Sequence, residues 1–202
     1  IIDHSSDVLM PYTERSRANL LLEGFASDRV FVIGNPIFEV LTHHAAQIAS
    51  SDVLDRLGLG PRGYFLVTLH REENVDTPNN LRDLLDTLRA LADQYGFPLI
   101  VSTHPRTRKR LEALGESLDH PLIRFVKPFG LLDYIKLQMS AFCVLSDSGT
   151  ITEEASLLNL PAVTLRNAHA RPEGMDEGTL IMSGLNRGSV VEAVRVVTSQ
   201  HS

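Results

Sequence analysis

Short apolar runs of strand length alternate with stretches of helical periodicity along most of the chain. Alternation of this kind is typical of a parallel β-sheet covered by helices on both faces, so the pattern predicts an α/β fold. The predicted strands are Asp7–Met10, Arg29–Ile33, Tyr64–Leu69, Pro98–Ser102, Ile123–Val126, Ala141–Leu145 and Ala162–Leu165, with a short one at Thr179–Met182. The predicted helices are Thr13–Glu23, Asn80–Tyr95, Pro105–Leu114, Leu131–Met139, Thr150–Leu158 and Gly188–Thr198.

The best candidate for a domain boundary is the turn-rich tripeptide Gly34-Asn35-Pro36. Before it the pattern is β–α–β, and after it comes a poorly apolar helical stretch that runs to Ser51. We therefore expect one domain to end near residue 35 and a second to span residues 36–202.

Composition and charge narrow the class of protein. With 202 residues and 43% hydrophobic content the chain can bury a full core, and its formal net charge of −6 argues against nonspecific nucleic-acid binding. No apolar run approaches the roughly 20 residues of a membrane-spanning helix. The chain begins without an initiator methionine or a signal-peptide pattern, so we expect a fragment or a processed chain. A single cysteine, Cys143, permits no internal disulfide and fits a cytoplasmic protein.

A strand–turn–helix junction is predicted at Ser146–Glu154, whose sequence is SDSGTITEE. The free backbone N–H groups and the positive end of the helix at such a junction favour an anionic ligand, and the Ser148 hydroxyl adds a donor. Glu154, one turn further on, can accept hydrogen bonds from a sugar or ribose diol. The alternative is that Asp147 or Ser148 only caps the helix and Gly149 only makes the turn.

A second polar group, His70 and Arg71, comes directly after the predicted strand Tyr64–Leu69. In open α/β sheets the ligand crevice forms at the carboxyl ends of the strands, so His70 can face the same cleft as Ser148 if their strands are near neighbours. His70 can then bind a phosphate or donate a proton to a leaving diphosphate. The alternatives are that His70 only satisfies loop backbone groups and that Arg71 pairs with the neighbouring glutamates.

A third group, Arg166–Gly174, follows the predicted strand Ala162–Leu165. Arg171, held in extended geometry by Pro172, can offer a forked set of donors to a diphosphate, and Arg166 can anchor the loop to a carboxylate. The alternative for either arginine is a solvated surface group. Three strand ends that all carry groups suited to an anion favour the ligand interpretation.

The histidines do not predict a metal site. His43 and His44 are adjacent, so they point to different faces of a helix, and the remaining histidines show no ligand spacing.

Three of these segments together resemble the non-hydrolysing UDP-N-acetylglucosamine 2-epimerases, whose two domains are similar to those of GT-B glycosyltransferases. The segments are Val67–Asn74 (VTLHREEN), Ser146–Glu154 and Ala170–Gly174 (ARPEG), in the family's order and with closely similar spacing. The resemblance covers nearly the whole chain. It implies that residues 1–35 end an N-terminal Rossmann-like domain and that residues 36–202 form the Rossmann-like UDP-binding domain, the C-terminal half of a GT-B-like enzyme.

The resemblance also implies roles for individual residues. Ser148 and the backbone beside it hold the diphosphate, Glu154 holds the ribose, and His70 is the catalytic residue at the phosphates. Phe129 and Tyr134 fall near positions that form the uracil pocket, with ordinary helix packing as their alternative. The residues implied to bind UDP are Ser148, Gly149, Thr150, Glu154, Arg171, Phe129 and Tyr134.

The family's reaction is anti elimination of UDP to a 2-acetamidoglucal, followed by re-addition with opposite stereochemistry at C2, without a metal or nicotinamide cofactor. It serves the synthesis of surface polysaccharide precursors. The carboxylates proposed as acid–base groups at C2 belong to the family's N-terminal domain, and none of those motifs occurs in this chain. We therefore expect an epimerase as the parent protein, and weak UDP binding with little turnover by these 202 residues alone.

Two departures leave the sugar open. The commoner family pattern has a second glycine at Thr150 and Thr-Thr-Glu at residues 168–170. The residues found here are more similar to the branch that forms UDP-N-acetyl-L-fucosamine, in which a 6-deoxy-L-talose sugar is epimerised at C2. A GT-B glycosyltransferase and a non-catalytic UDP-sugar sensor are the alternatives from other classes.

Some family members bind a second UDP-sugar at an allosteric site, whose positions are matched approximately by Arg71 and His104. The alternative for the basic segment that begins at His104 is a solvated helix face. The family resemblance also suggests a homodimer.

Overall fold

The computed structural model of the chain describes residues 2–69, 77–113, 119–165 and 180–200. The chain divides into two compact units, Ile1–Ala46 and Gln47–Ser202. No helix within the described residues is both long and apolar enough to cross a lipid bilayer.

The first unit contains two helices and two short 3₁₀ turns. Its core includes Leu9 and Val30, which are 6% and 3% exposed, and Leu41. The helices are α1 (Glu14–Leu22) and α2 (Ile37–His43), and the 3₁₀ turns are Asp3–Ser5 and Ser27–Arg29. A further helix, α3 (Ala45–Ala49), begins at the end of this unit and continues into the next.

The strands predicted at Asp7–Met10 and Arg29–Ile33 do not form; only a single parallel bridge joins Leu9 to Val30. Two features of the backbone stop this ladder from growing. The Arg29 N–H donates to Ala26 O in the 3₁₀ turn at 3.1 Å, and Pro11 has no N–H to donate on the other side. The sequence pattern therefore predicted two strands where the structure has a single bridge.

The second unit is built on a six-stranded, entirely parallel sheet. Its order is β3-β2-β1-β4-β5-β6, which confirms the predicted α/β fold. Each strand begins and ends within two residues of its predicted bounds. The strands are β1 (Phe65–Leu69), β2 (Leu99–Thr103), β3 (Ile123–Val126), β4 (Cys143–Ser146), β5 (Ala162–Leu165) and β6 (Leu180–Ser183).

Helices follow β1, β2, β3, β4 and β6 along the sequence, as predicted, and a further short helix precedes β1. Local signals fix their ends: Pro78 occupies the first turn of α5, Gly96 ends it with φ +66°, and Asn186 Oδ1 caps α9 by accepting from Gly188 N at 2.9 Å. The helices are α4 (Val53–Leu57), α5 (Pro78–Tyr95), α6 (Pro105–Ala113), α7 (Leu131–Ser140), α8 (Ile151–Leu158) and α9 (Arg187–Ser199).

Side chains alternate between two cores on opposite faces of the sheet. On β1, Phe65, Val67 and Leu69 join the core formed with α5 and α9, whereas Leu66 joins the core that contains residues of α7 and α8. Burial on both faces explains why the strands read as continuous apolar runs. The carboxyl ends of the strands and their loops are thereby left as the edge on which polar side chains can gather.

Candidate functional site

The strand order reverses direction between β1 and β4, because the chain runs outward through β2 and β3 on one side and through β5 and β6 on the other. In doubly wound sheets the ligand crevice opens at this switch point. Thr68 of β1 lies opposite Ser146 of β4, and the Thr68 hydroxyl donates to Ser146 Oγ at 2.7 Å. The two strands on which the site was predicted are therefore neighbours.

The turn after β4 is held by serine and threonine hydroxyls. Ser146 Oγ, fully buried, also accepts from Ser148 N at 3.1 Å. Ser148 Oγ accepts from Thr150 N at 3.3 Å and is hydrogen-bonded to the Thr150 hydroxyl at 2.9 Å. The N-cap residue of α8 is Thr150, without a side-chain cap, so capping by Asp147 or Ser148 is not what holds the turn. Ser148 is partly exposed, and Gly149 and Thr150 are exposed.

Glu154 lies in the first turn of α8 and is partly buried. Its backbone N–H donates to Thr150 O at 2.9 Å, which places the carboxylate one turn beyond the serine turn. Gln138 of α7, which is only 1% exposed, donates from Nε2 to Glu154 Oε2 at 2.5 Å. The carboxylate is therefore fixed by a charge-assisted hydrogen bond from a neighbouring helix.

Tyr134 lies one helical turn before Gln138 on α7. The pKa of Tyr134 is raised to about 12, chiefly by burial and to a smaller extent by the charges of Glu154 and Asp147. The side chains of Thr68 and Gln138, as hydrogen-bonding neighbours, act against this rise. The phenol is consequently protonated at neutral pH and can donate a hydrogen bond. These contacts bring residues of β1, α7 and the β4–α8 junction to one place.

The amino-terminal half of α7 is anchored to the segment that precedes β1. The Asp133 carboxylate accepts from the Ser51 hydroxyl at 2.6 Å and pairs with Arg56, and Lys136 Nζ donates to Ala49 O at 3.0 Å. The hydrogen bond from Ser51, supported by Arg56, lowers the pKa of the Asp133 carboxyl despite some desolvation. This anchoring holds the helix that presents Tyr134 and Gln138.

Phe129 lies between β3 and α7 and is half-buried against the core cluster that includes Leu66 and Ile100. Tyr134 packs against the same cluster. Helix packing thus accounts for the burial of Phe129, and its contact with a base remains a prediction.

Other predicted residues stand outside this group. His70, Arg71, Arg166 and Arg171 lie outside the described residues. His104 is exposed and comes directly after β2, which neighbours β1, so it stands at the same edge of the sheet. Its allosteric role remains a prediction.

The sequence did not predict three groups of the site: the Thr68 hydroxyl, the Ser146 hydroxyl that accepts from both Thr68 and Ser148 N, and the Gln138 amide. Two signals were present. Thr68 is a polar residue within an apolar strand, and Gln138 follows Tyr134 by four residues, so the two share a helix face.

Within the described part of the chain, this group of residues coincides neither with a cluster of metal-ligating side chains nor with the cavity beside His43 and His44. Among the described residues, no three His, Cys, Asp or Glu side chains are arranged to hold a metal ion. The rings of His43 and His44 lie edge to face with an interplanar angle of 87°. They help to line an open cavity of about 590 Å³ in the first unit, which includes none of the site residues.

Comparison with known proteins identifies the family. The UDP-N-acetylglucosamine 2-epimerase family model matches residues 1–202. The UDP-N-acetylglucosamine 2-epimerase of Methanocaldococcus jannaschii is 33% identical over 207 residues, covering 99% of this chain and 56% of that protein. The UDP-2,3-diacetamido-2,3-dideoxy-D-glucuronate 2-epimerase of Pseudomonas aeruginosa is 32% identical over 199 residues, covering 96% of this chain and 53% of that protein.

Comparison with solved structures gives the same family. The UDP-N-acetylglucosamine 2-epimerase of Rickettsia bellii matches with a TM-score of 0.88 and 50% identity, over 100% of this chain and 53% of that one. The M. jannaschii enzyme in complex with UDP-GlcNAc and UDP matches with a TM-score of 0.87 and 33% identity, over 97% and 55% of the two chains. This chain thus spans about half the length of the relatives that it matches. It belongs to the UDP-N-acetylglucosamine 2-epimerase family.

Proposed function

We propose that this chain is the nucleotide-binding part of a UDP-N-acetylhexosamine 2-epimerase that interconverts UDP-GlcNAc and UDP-ManNAc. The observation that carries the proposal is the convergence of the Ser148 turn, the Glu154 carboxylate and the Tyr134 phenol at the β1–β4 switch point. A diphosphate, a ribose diol and a uracil ring are the three parts of UDP that these groups suit.

Each group suits its part of UDP for a physical reason. The turn offers the Ser148 hydroxyl and the exposed backbone at Gly149 beside the positive end of α8, which favours phosphate oxygens. Glu154 is acceptor-only and repels phosphate, but a ribose diol can donate to it. Tyr134, with Phe129 nearby in sequence, offers an aromatic surface and a donor for the base. Arg171 is proposed to pair with the diphosphate.

The proposed chemistry is elimination followed by re-addition. Removal of the C2 proton and cleavage of the bond from C1 to the UDP oxygen give the 2-acetamidoglucal. A proton then adds to the opposite face of C2 as the UDP oxygen returns to C1. His70 is proposed to assist departure of the diphosphate, while the Ser148 turn retains UDP for its return. The net change is an isomerisation, so the steps need no redox cofactor, and we propose none.

The rest of the proposal concerns the whole protein. We propose that residues 1–35 belong to an N-terminal domain that supplies the acid–base carboxylates at C2, so the 202-residue chain binds UDP weakly and turns over little. Arg71 and His104 are proposed to contact a second, regulatory UDP-sugar. The whole protein is proposed to act as a cytoplasmic homodimer in the synthesis of surface polysaccharide precursors.

A second substrate has its own support. Two segments, Thr150–Glu154 and Asn167–His169, are similar to the branch that forms UDP-N-acetyl-L-fucosamine. The name of the P. aeruginosa relative also states a UDP-sugar other than UDP-GlcNAc. UDP-N-acetyl-6-deoxy-L-talosamine is therefore the alternative substrate.

Turnover by the full-length protein tests the proposal. It is incubated in D₂O with UDP-GlcNAc, and separately with the 6-deoxy-L-talo sugar, without an acceptor. We expect the C2 epimer of one of them, carrying deuterium at C2 in the NMR spectrum. If neither is epimerised, the proposal is wrong. Transfer of sugar only after an acceptor is added would then indicate a GT-B glycosyltransferase, and binding without any turnover would indicate a UDP-sugar sensor.

A further inference from the structure

Gln138 is an unusual residue for the inside of α7. Its neighbour Leu137 is fully buried, and Gln138 itself is 1% exposed. Its Nε2 donates to Glu154 Oε2, while Oε1 is buried and has no hydrogen-bond partner within the part of the chain that the structure describes. A buried polar atom without a partner is destabilising, and an apolar residue would fill this place without that cost. The hydrogen bond to Glu154 is what Gln138 gains in return.

That hydrogen bond fixes the orientation of the Glu154 carboxylate. A glutamate in the first turn of a helix otherwise rotates about three side-chain bonds, and this freedom is lost when a ligand binds. By holding one carboxylate oxygen, Gln138 removes the freedom before the ligand arrives. Preorganisation of this kind increases affinity without adding any contact to the ligand.

Gln138 also connects two parts of the site. It lies one turn from Tyr134 on the same helix face, and its side chain is a hydrogen-bonding neighbour of the Tyr134 hydroxyl. One buried amide therefore adjoins both the carboxylate and the aromatic side chain, each of which is proposed to contact a different part of the nucleotide.

We infer that Gln138 is a positioning residue that presets the Glu154 carboxylate for the ribose 2′,3′-diol, and that it thereby determines the preference of this site for ribonucleotides. The inference rests on the proposed function, in which Glu154 binds the ribose. A purely structural role for Gln138 makes a different prediction, because it would affect every nucleotide equally.

The test compares UDP with 2′,3′-dideoxy-UDP by calorimetric titration of the chain. Gln138→Met keeps the length of the side chain and removes its donor. We expect this change to weaken UDP binding roughly threefold to tenfold, the effect of immobilising one further side chain when the ligand binds, and to leave dideoxy-UDP binding unchanged. In the Glu154→Ala background, Gln138→Met is expected to have no further effect on UDP binding.

The possible outcomes separate the two claims. Equal weakening of UDP and dideoxy-UDP binding, or unchanged UDP binding in Gln138→Met, overturns the positioning role alone. If the unsubstituted chain binds UDP no better than dideoxy-UDP, or binds neither at millimolar concentration, the ribose role of Glu154 is wrong, and with it the proposed function of this site.

A second variant keeps the inference testable if Gln138→Met does not fold. Gln138→Glu places a second carboxylate against Glu154, and two carboxylates in contact share a proton as the pH falls. The shared proton restores a donor to Glu154. The ratio of the UDP affinity of Gln138→Glu to that of the unsubstituted chain is therefore expected to rise as the pH falls from 8 to 5.5. A ratio that does not change with pH would overturn the inference.

Discussion

Ser146 is the residue at which the architecture of the site can be tested by a single substitution. Its hydroxyl oxygen, fully buried at the end of β4, accepts from the Thr68 hydroxyl at 2.7 Å and from Ser148 N at 3.1 Å. Ser146→Ala removes only this oxygen. The two donors on β1 and on the turn are then left without their acceptor.

The magnitude follows from those two donors. A buried donor left without a partner costs about 1 to 3 kcal/mol, and because Thr68 and Ser148 are each partly exposed, the low end of that range applies. We expect Ser146→Ala to lower the free energy of unfolding by about 2 kcal/mol in total. Thr68→Val removes one donor but leaves the bond to Ser148 N, and should cost about 1 kcal/mol.

The double variant distinguishes this account from a simple loss of packing. When Thr68 has already become valine, Ser146→Ala leaves one donor without its acceptor instead of two. The double variant should therefore lose about 2 kcal/mol rather than the sum of about 3, which is a coupling of about 1 kcal/mol. UDP binding should weaken in both variants that contain Ser146→Ala, because the turn at Ser148 loses its anchor.

Urea unfolding followed by circular dichroism measures these values, since the chain has no tryptophan for fluorescence. The comparison is of midpoints at equal slope. If the costs in the double variant add to within about 0.3 kcal/mol, or if Ser146→Ala costs less than about 0.5 kcal/mol, the Ser146 hydroxyl does not hold both donors.

Two further predictions concern stability. The pKa of Tyr134 is raised to about 12 in the folded chain, so the unfolded chain loses the phenol proton at a lower pH than the folded chain does. The stability that the buried phenol contributes is therefore complete below pH 10 and is lost as the pH rises toward 12. Tyr134→Phe should lose less stability than the unsubstituted chain between pH 9 and pH 11.5, by about 2 kcal/mol in urea unfolding, and an equal loss would contradict the burial of the phenol. Leu88→Ala, on a side chain that is 0% exposed in α5, should cost about 2 to 5 kcal/mol, whereas the same change at the 87% exposed Leu22 should cost less than about 0.5 kcal/mol. Similar costs at the two positions in thermal or urea unfolding would show that the core is wrongly placed.

The sequence predicted strands and helices well wherever both faces of the sheet are buried, because continuous apolar runs and the leucine stripe of α5 both follow from burial. It predicted too much at Leu9 and Val30, where Pro11 and a 3₁₀ turn end the ladder after one bridge. Hydrophobic periodicity carries no information about backbone hydrogen-bond partners. The missing N–H of Pro11 was therefore not weighed against the apolar pattern.

The site was predictable in its parts but not in its assembly. Ser148 and Glu154 stood out because their spacing places them on one junction. The pairing of Thr68 with Ser146 depends on strand order, and the contact of Gln138 with Glu154 depends on how α7 and α8 pack. Thr68 and Gln138 each had a local signal in the sequence, but their pairings with Ser146 and Glu154 had none, so the pairings required the three-dimensional structure.

The most direct test of the central claim, a UDP site at the β1–β4 switch point, is a calorimetric titration of the chain with UDP and with ADP. Glu153→Ala is the matched control for Glu154→Ala, because the two glutamates are adjacent in the first turn of α8 and Glu153 is exposed. Ser148→Ala tests the turn in the same titration. The account predicts that UDP binds more tightly than ADP, that Glu154→Ala and Ser148→Ala each weaken UDP binding about tenfold or more, and that Glu153→Ala leaves it unchanged. Equal binding of UDP and ADP, or equal effects of the two glutamate substitutions, would contradict it.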